Sequence, residues 1–165
     1  MTYTIRDATP DDVGSMSSFS ILTILETLED ARRDPSVVPG FTHDEMATMY
    51  RKGLENPAHR YRVLAQPDGR LVGHGIYLLR EDETGATYGY LYTRYVLPAH
   101  RRRGLGGQLL DEALNWFRNQ EAGWVEAHTH PTNAPLQGLL QSRGFEAGPV
   151  IQGHWESVLL RKMLD

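Results

Sequence analysis

One stretch constrains this chain more than any other: Tyr95-Val96-Leu97-Pro98-Ala99-His100-Arg101-Arg102-Arg103-Gly104-Leu105-Gly106-Gly107-Gln108-Leu109-Leu110. It begins as the apolar end of a strand, breaks at a proline and passes through a basic, glycine-rich turn. It then enters a helix whose apolar residues recur at helical spacing. A turn of this kind leaves several backbone N–H groups without partners in the chain, aimed at one region of space. The positive end of the helix dipole adds to them, so the stretch is built to receive an anion, most often a phosphate. A nucleoside-triphosphate loop needs Gly-Lys-Ser/Thr at the helix start, and Gly106-Gly107-Gln108 supplies neither lysine nor hydroxyl. A dinucleotide turn needs a third glycine where Leu109 stands; Gly104 and Gly106 fit, and Glu126 is the one acidic residue at the distance such a site uses.

The rest of the chain alternates between two periods. Thr2 to Ala8 reads as a short strand, and Thr9-Pro10-Asp11-Asp12 as a helix start with a cap, an N1 proline and two acids at the positive end. The next helix carries Val13, Met16, Ile21, Ile24, Leu25 and Leu28, with a serine-rich middle (Ser15 to Ser20) that weakens its pattern. Asp34 to Gly40 is a proline-rich loop. A second helix opens on Thr42-His43-Asp44-Glu45, a capping box stapled by Phe41 and Met46, shows Met46, Met49, Tyr50 and Leu54 on one face, and stops at Asn56-Pro57. From Arg60 the period becomes two, through a hairpin turn at Gln66-Pro67-Asp68-Gly69 and a third strand from Thr87 to Leu97. After the phosphate turn and its helix come a strand from Trp124 to His130, a short helix opened by Asn133-Ala134-Pro135, and a closing pair of strands, Phe145 to Ile151 and His154 to Met163. No repeat or linker interrupts this order, which is that of a single α+β domain over residues 1–165.

Composition removes several function classes. With 21 acidic and 17 basic side chains in 165 residues, a formal net charge of -4 disfavours a general nucleic-acid binder. The absence of cysteine removes disulfides, thiolate nucleophiles and cysteine zinc sites. No apolar run approaches the ~20 residues that span a bilayer. The N-terminus lacks a signal-peptide hydrophobic region, so no membrane partner is expected and a cytoplasmic location is.

The residues Val96-x-Pro98-x-x-Arg101-x-x-Gly104-x-Gly106 resemble the acetyl-CoA motif of the GNAT (GCN5-related) N-acetyltransferase superfamily, Arg/Gln-x-x-Gly-x-Gly/Ala. Tyr95 and Leu97 upstream, Gln108-Leu109-Leu110 downstream, Asn133-Ala134 after the next strand and Gly144-Phe145 after the last helix extend the match. The likeness is close from about residue 60 onward and topological before it. It implies a mixed central sheet of about seven strands with four main helices. It also implies an acetyl-CoA co-substrate and direct transfer to a primary amine, with no metal, and it leaves a homodimer open. The amides of Arg101, Arg102, Arg103, Gly104, Leu105, Gly106 and Gly107 would cradle the pyrophosphate. Tyr95 and Val96 would flank the pantetheine where the fourth strand bulges from the fifth, the Val96 N–H would polarise the thioester carbonyl, and Asn133 would hold a pantetheine amide. Arg101 and Arg103 are also candidates for phosphate contacts through their side chains.

The chain departs from the family pattern twice. Leu140 stands where many members carry a tyrosine that protonates the departing thiolate. The strand from Thr87 to Leu97 holds no carboxylate, Tyr92 and Thr93 occupying the usual place of a glutamate. A thiol with a pKa near ~8.5 leaves without much help. For proton transfer the candidates are His128, His130 and Tyr92, the two histidines being expected on the strand face that carries Trp124 and Glu126. With no third ligand nearby they form no metal site. Arg94 is unusual in an apolar strand and is expected to meet a carboxylate, of substrate or of Glu126, or solvent. The acceptor wall falls on Ser15 to Tyr50, including Val37 to Phe41. A small-molecule amine is the first expectation; a peptide or protein amine, and a non-catalytic acyl-CoA-binding module, are the alternatives.

Overall fold

A computed structural model of the protein describes residues 2–27, 42–153 and 156–165. Leu28, the Asp34–Gly40 loop, the Val37–Phe41 part of the acceptor wall, the Phe41 staple and the His154 start of the last strand lie outside the described residues. Within them the order is β1 (Thr4–Asp7), a 3-10 turn (Pro10–Asp12), α1 (Val13–Thr27), α2 (His43–Gly53), β2 (His59–Ala65), β3 (Leu71–Glu81) and β4 (Thr87–Val96). A second 3-10 turn (Pro98–His100) leads to α3 (Leu105–Asn119), β5 (Trp124–Thr129), α4 (Ala134–Ser142), β6 (Glu146–Ile151) and β7 (Ser157–Met163). Among the described residues the seven strands make one mixed sheet in the order β1-β2-β3-β4-β5-β7-β6. β4 and β5 run parallel, and β7 enters antiparallel between β5 and β6. The expected α+β architecture is therefore present.

The local reasons are those the residues suggest, with two adjustments. α1 runs unbroken through its serine-rich middle, where the hydroxyls bond back to the helix: Ser17 to the Val13 carbonyl at 2.8 Å and Ser18 to the Gly14 carbonyl at 3.2 Å. Ser20 is buried and meets the Tyr50 hydroxyl of α2 at 2.6 Å. α2 is capped by Thr42, whose side chain accepts from the Glu45 N–H at 3.2 Å. Its buried face is Met46, Ala47 and Tyr50, while Met49 is exposed. The face thus follows the spacing Met46, Ala47, Tyr50 and leaves Met49 to solvent.

The chain forms two compact units. The first comprises residues 1–76 and 93–109. Its sheet-and-helix core is Leu64, Val72, Val96, Leu105 and Leu109, with Tyr3, Ile5 and Leu97 packed at the edge. The second comprises residues 77–92 and 110–165. It is built on Tyr77, Leu110, Ala113, Leu114, Phe117, Val125, Ala127, Leu140, Phe145, Val158 and Leu160. Burial of each such aliphatic or aromatic side chain contributes on the order of 1.5–3 kcal/mol before chain entropy is counted.

Candidate acyl-donor site

The glycine-rich turn belongs to the first unit. The Leu97 N–H donates to the Val72 carbonyl of β3 at 2.8 Å. Amides of successive residues in an extended strand point to opposite sides, so the Val96 N–H points away from β3. The Val96 carbonyl, on that same side, accepts from Arg101 Nε at 2.7 Å. The 3-10 turn then closes with His100 N–H on the Leu97 carbonyl and Arg101 N–H on the Pro98 carbonyl. The Arg101 amide is thereby engaged, and the amides after it, up to Gly107, meet no acceptor among the described residues.

Two positive φ angles shape that run, 62° at Arg102 and 76° at Gly104. Alternation into the left-handed region curls the backbone so that neighbouring amides converge, the geometry of an anion nest. The first bond within α3 is Gln108 N–H to the Gly104 carbonyl at 3.0 Å. The amides of Gly104, Leu105, Gly106 and Gly107 therefore have no acceptor inside the helix. Leu105 and Leu109, almost wholly buried against Leu64, Val72 and Val96, fix that helix end on the sheet. The two glycines serve different ends. Gly104 supplies the left-handed φ, and a Cβ there would meet no atom within 4 Å. At Gly106 a Cβ would fall on the Arg94 guanidinium, so that glycine also makes room for the strand's arginine. Arg94, the odd residue of its strand, lies against the first turn of α3. Arg102 and Arg103 are exposed.

A side-chain cluster backs the turn. Glu26, in the last turn of α1, accepts from the Tyr95 hydroxyl at 2.8 Å and from Arg101 Nη2 at 2.7 Å. The Arg101 guanidinium lies 5.2 Å from the Tyr95 ring centroid, and Phe19 of α1 stacks on that ring at 5.9 Å. Burial, then the Glu26 carboxylate, pushes the Tyr95 phenol up to about 12, so it remains a donor. Sequence reasoning misses Glu26. The available signal is its position seven residues after Phe19, which puts both on one helical face. His74 of β3 is missed as well. It is fully buried edge-on to Phe19, its ring nitrogens make no hydrogen bond among the described residues, and burial lowers its pKa to about 3. His100 is held by Tyr3, whose hydroxyl is 2.8 Å from Nδ1.

The remaining candidates belong to the second unit. β4 and β5 pair from Gly89↔Val125 to Leu91↔Ala127. Tyr88 stacks on Trp124 at 5.1 Å, and the Tyr90 hydroxyl lies 3.1 Å from His128 Nδ1. Tyr92 is 38% exposed; burial of the rest pushes its phenol up against a smaller opposing pull from Arg80, so it stays protonated near neutrality. Glu126 accepts from Arg161 at 2.6 Å. The histidines do not share a strand face as expected, because β5 ends at Thr129 and His130 enters the turn beyond it. There its Nδ1 accepts from the Thr132 N–H at 3.2 Å and contacts the Thr132 hydroxyl at 2.7 Å. An Nδ1 that accepts leaves the neutral ring's proton on Nε2, so the basic nitrogen of His130 is already used. His128 is exposed, with Nε2 making no hydrogen bond among the described residues. Asn133 accepts from the Leu136 N–H at 3.3 Å and donates to Thr129 Oγ1 at 3.0 Å, engaging both ends of its amide. Leu140, at the place of the family's tyrosine, is 1% exposed within the core. Among the described residues no cluster of three or more His, Asp or Glu side chains could hold a metal ion. None of their helices is long and apolar enough to cross a membrane.

A mixed sheet whose parallel pair, β4 and β5, is joined through a glycine-rich turn and a helix defines the class of fold. The sequence model of the acetyltransferase (GNAT) family matches residues 24–145, and the chain belongs to that family. Among curated proteins, the type 1 aminoglycoside N(6')-acetyltransferases of Salmonella typhimurium and Salmonella enteritidis are each 28% identical over 92 residues. That alignment covers 53% of this chain and 63% of theirs, less than two thirds of the relatives' length. Among solved structures, an N-acetyltransferase from Staphylococcus aureus superposes with a TM-score of 0.74 at 16% identity over all of both chains. A phosphinothricin acetyltransferase from Sinorhizobium meliloti, solved with AcCoA, gives 0.73 at 22% identity over 99% of this chain and 89% of its own. These two share the fold.

Proposed function

We propose that the protein transfers the acetyl group of acetyl-CoA to a primary amine of a small molecule. The observation that carries this reading is the run of open amides from Gly104 to Gly107, set directly after a strand end whose Val96 N–H points away from β3. Family membership and the likeness to enzymes named for acetylating aminoglycosides support it.

In this reading the donor's pyrophosphate takes the amides from Arg102 to Gly107, together with the positive end of α3 and the exposed charges of Arg102 and Arg103. The Val96 N–H receives the thioester carbonyl oxygen as negative charge develops on it. The neutral amine attacks the carbonyl carbon directly. A C–N bond forms, the C–S bond breaks with its electron pair on sulfur, and the attacking nitrogen loses a proton to solvent or to a base. Proximity supplies much of the rate, and the thiolate of CoA, whose conjugate acid has a pKa near ~8.5, departs without the phenol that Leu140 replaces. Incubation with acetyl-CoA and a panel of aminoglycosides, polyamines and amino acids should release free thiol in proportion to acetylated product. CoA binding with no thiol released across the panel would sink the reading.

The buried Leu140 favours one rival, an acyl-CoA-binding module without turnover. Substituting His128, His130 and Tyr92 separates the two. The module predicts unchanged binding and no thiol release in any form of the protein, whereas the enzyme releases thiol as wild type and loses rate on a substitution only where that side chain takes the proton.

A further inference from the structure

We propose that Glu26 is a positioning residue for the Val96 peptide, acting through Arg101. The inference rests on the reading of Val96 as the donor-side amide and deepens it. Two contacts form one path: the Glu26 carboxylate accepts from Arg101 Nη2 at 2.7 Å, and Arg101 Nε donates to the Val96 carbonyl at 2.7 Å. The second carboxylate oxygen of Glu26 accepts from the Tyr95 hydroxyl at 2.8 Å, so the residue before Val96 is held by the same group. A single guanidinium thus separates α1 from the Val96–Leu97 peptide, the one that directly follows the peptide bearing the Val96 N–H.

The opposite side of that peptide is already fixed. Leu97 N–H bonds to the Val72 carbonyl, and a Cβ at Gly73 would strike the Tyr95 carbonyl oxygen and crowd the Val96 Cα, so β3 lies tightly against it. The adjustable side is the one Arg101 holds. Charge-assisted bonds there are stronger and more directional than neutral ones, which suits a brace. From α1 the Glu26 carboxylate reaches both the Tyr95 hydroxyl and the Arg101 guanidinium.

The same geometry gives the motif arginine a role different from the one its place beside a phosphate site suggests. Two of its guanidinium nitrogens are committed to Val96 and Glu26, and its backbone N–H to Pro98. Arg101 then acts on the strand and leaves the donor's phosphates to the amides after it. Accepting a hydrogen bond at the Val96 carbonyl also polarises the Val96–Leu97 peptide, so the Leu97 amide nitrogen reports on the brace in the free protein.

The experiment compares wild type, Glu26→Ala, Glu26→Gln, Arg101→Ala and the Glu26→Ala/Arg101→Ala double variant. It measures the Kd of CoA by calorimetry, steady-state kcat and KM, and the Leu97 15N resonance. The expected result is a kcat lowered about tenfold in each alanine variant, CoA affinity changed less than about twofold, and a double variant no slower than the slower single. Glu26→Gln, whose amide oxygen still accepts from Arg101, should retain most of the rate. The Leu97 resonance should move in the same direction in both alanine variants. A tenfold loss of CoA affinity in Arg101→Ala with kcat intact would make Arg101 a phosphate ligand and overturn the brace. Additive losses in the double variant, or a Leu97 resonance that stays in place, would do the same. If Glu26→Ala fails to fold, the isosteric Glu26→Gln and Arg101→Ala carry the test. Failure of the wild type to bind CoA would instead sink the acyl-donor reading, and the resonance would still judge the contact.

Discussion

The chain passes from strand to helix at the end of β4 and again at the end of β5, and it finishes the two passages in opposite ways. After β5, Asn133 turns its side chain onto the Leu136 N–H and Thr129 Oγ1, and Gln137 reaches the Pro131 carbonyl at 2.9 Å. That helix start is satisfied from within. After β4, glycine stands where a capping side chain would be, and left-handed residues at 102 and 104 gather the amides without giving them an acceptor. The start of α1 shows a third solution. Before it, the Asp12 carboxylate accepts from the Thr9 N–H at 2.8 Å and from Arg6 at 2.8 Å, so the chain supplies its own anion. Open amides at a well-anchored helix end are thus a local choice of residue and not a general property of helix starts.

The comparison can be broken most severely at Gly104. An aspartate there adds charge to the nest while its Cβ meets nothing, so CoA affinity should fall by more than about a hundredfold, with the fold kept and stability lowered by about 1–3 kcal/mol, the cost of a side chain in the left-handed region. Calorimetry alongside thermal melts decides it, and near-wild-type affinity would place the anion elsewhere. Gly106→Asp is a less clean version, because the new side chain meets the Arg94 guanidinium.

At the self-supplied start, Asp12→Asn should cost about 1–3 kcal/mol at neutral pH. Its pH dependence has a definite sign. Hydrogen bonding to Arg6, helped by Thr9 against a smaller desolvation cost, holds the Asp12 carboxyl below its usual range in the folded protein. That stability is present above the unfolded-state pKa and is lost as pH falls through the lowered folded value. Denaturant titrations across the acid range should show a shallower decline for Asp12→Asn, and parallel curves would contradict the assignment.

The self-capped start gives the smallest effect. Asn133→Ala should lower stability by about 1 kcal/mol, and Asn133→Asp, still a cap, should restore most of it. CoA affinity should stay near wild type in both, since each end of the Asn133 amide is already engaged. A selective loss of affinity in the stable aspartate variant would show that the amide leaves its cap to meet pantetheine.

Much of this is legible in residue order. The period change at Arg60, the Thr42 cap and the glycines at 104 and 106 each act on their immediate neighbours, and local rules read them correctly. The hidden part depends on who faces whom. Glu26 gains its partners only when α1 is laid beside β4, and His74 gives no periodic sign that it is sealed against Phe19. His130 reads as part of a strand that in fact stops one residue short of it, because Thr132 offers its ring a local partner. Met49 fits by spacing into a face that Ala47 fills instead, since small residues contribute little to a hydrophobic pattern. Leu140 stands out as a departure, yet only its burial explains why a phenol could not simply be restored: a tyrosine there would have to force apart a filled core, at a cost of about 1–3 kcal/mol.

An anion nest made of main-chain amides carries a consequence for how such a protein can diverge. Every residue type except proline brings the same amide, so Arg103 can change without erasing the nest itself, whereas position 102, at φ 62°, still calls for a residue that tolerates the left-handed region. The hereditary constraint narrows to a few positions, above all the left-handed one at 104. A turn of this kind therefore constrains backbone conformation more than side-chain chemistry.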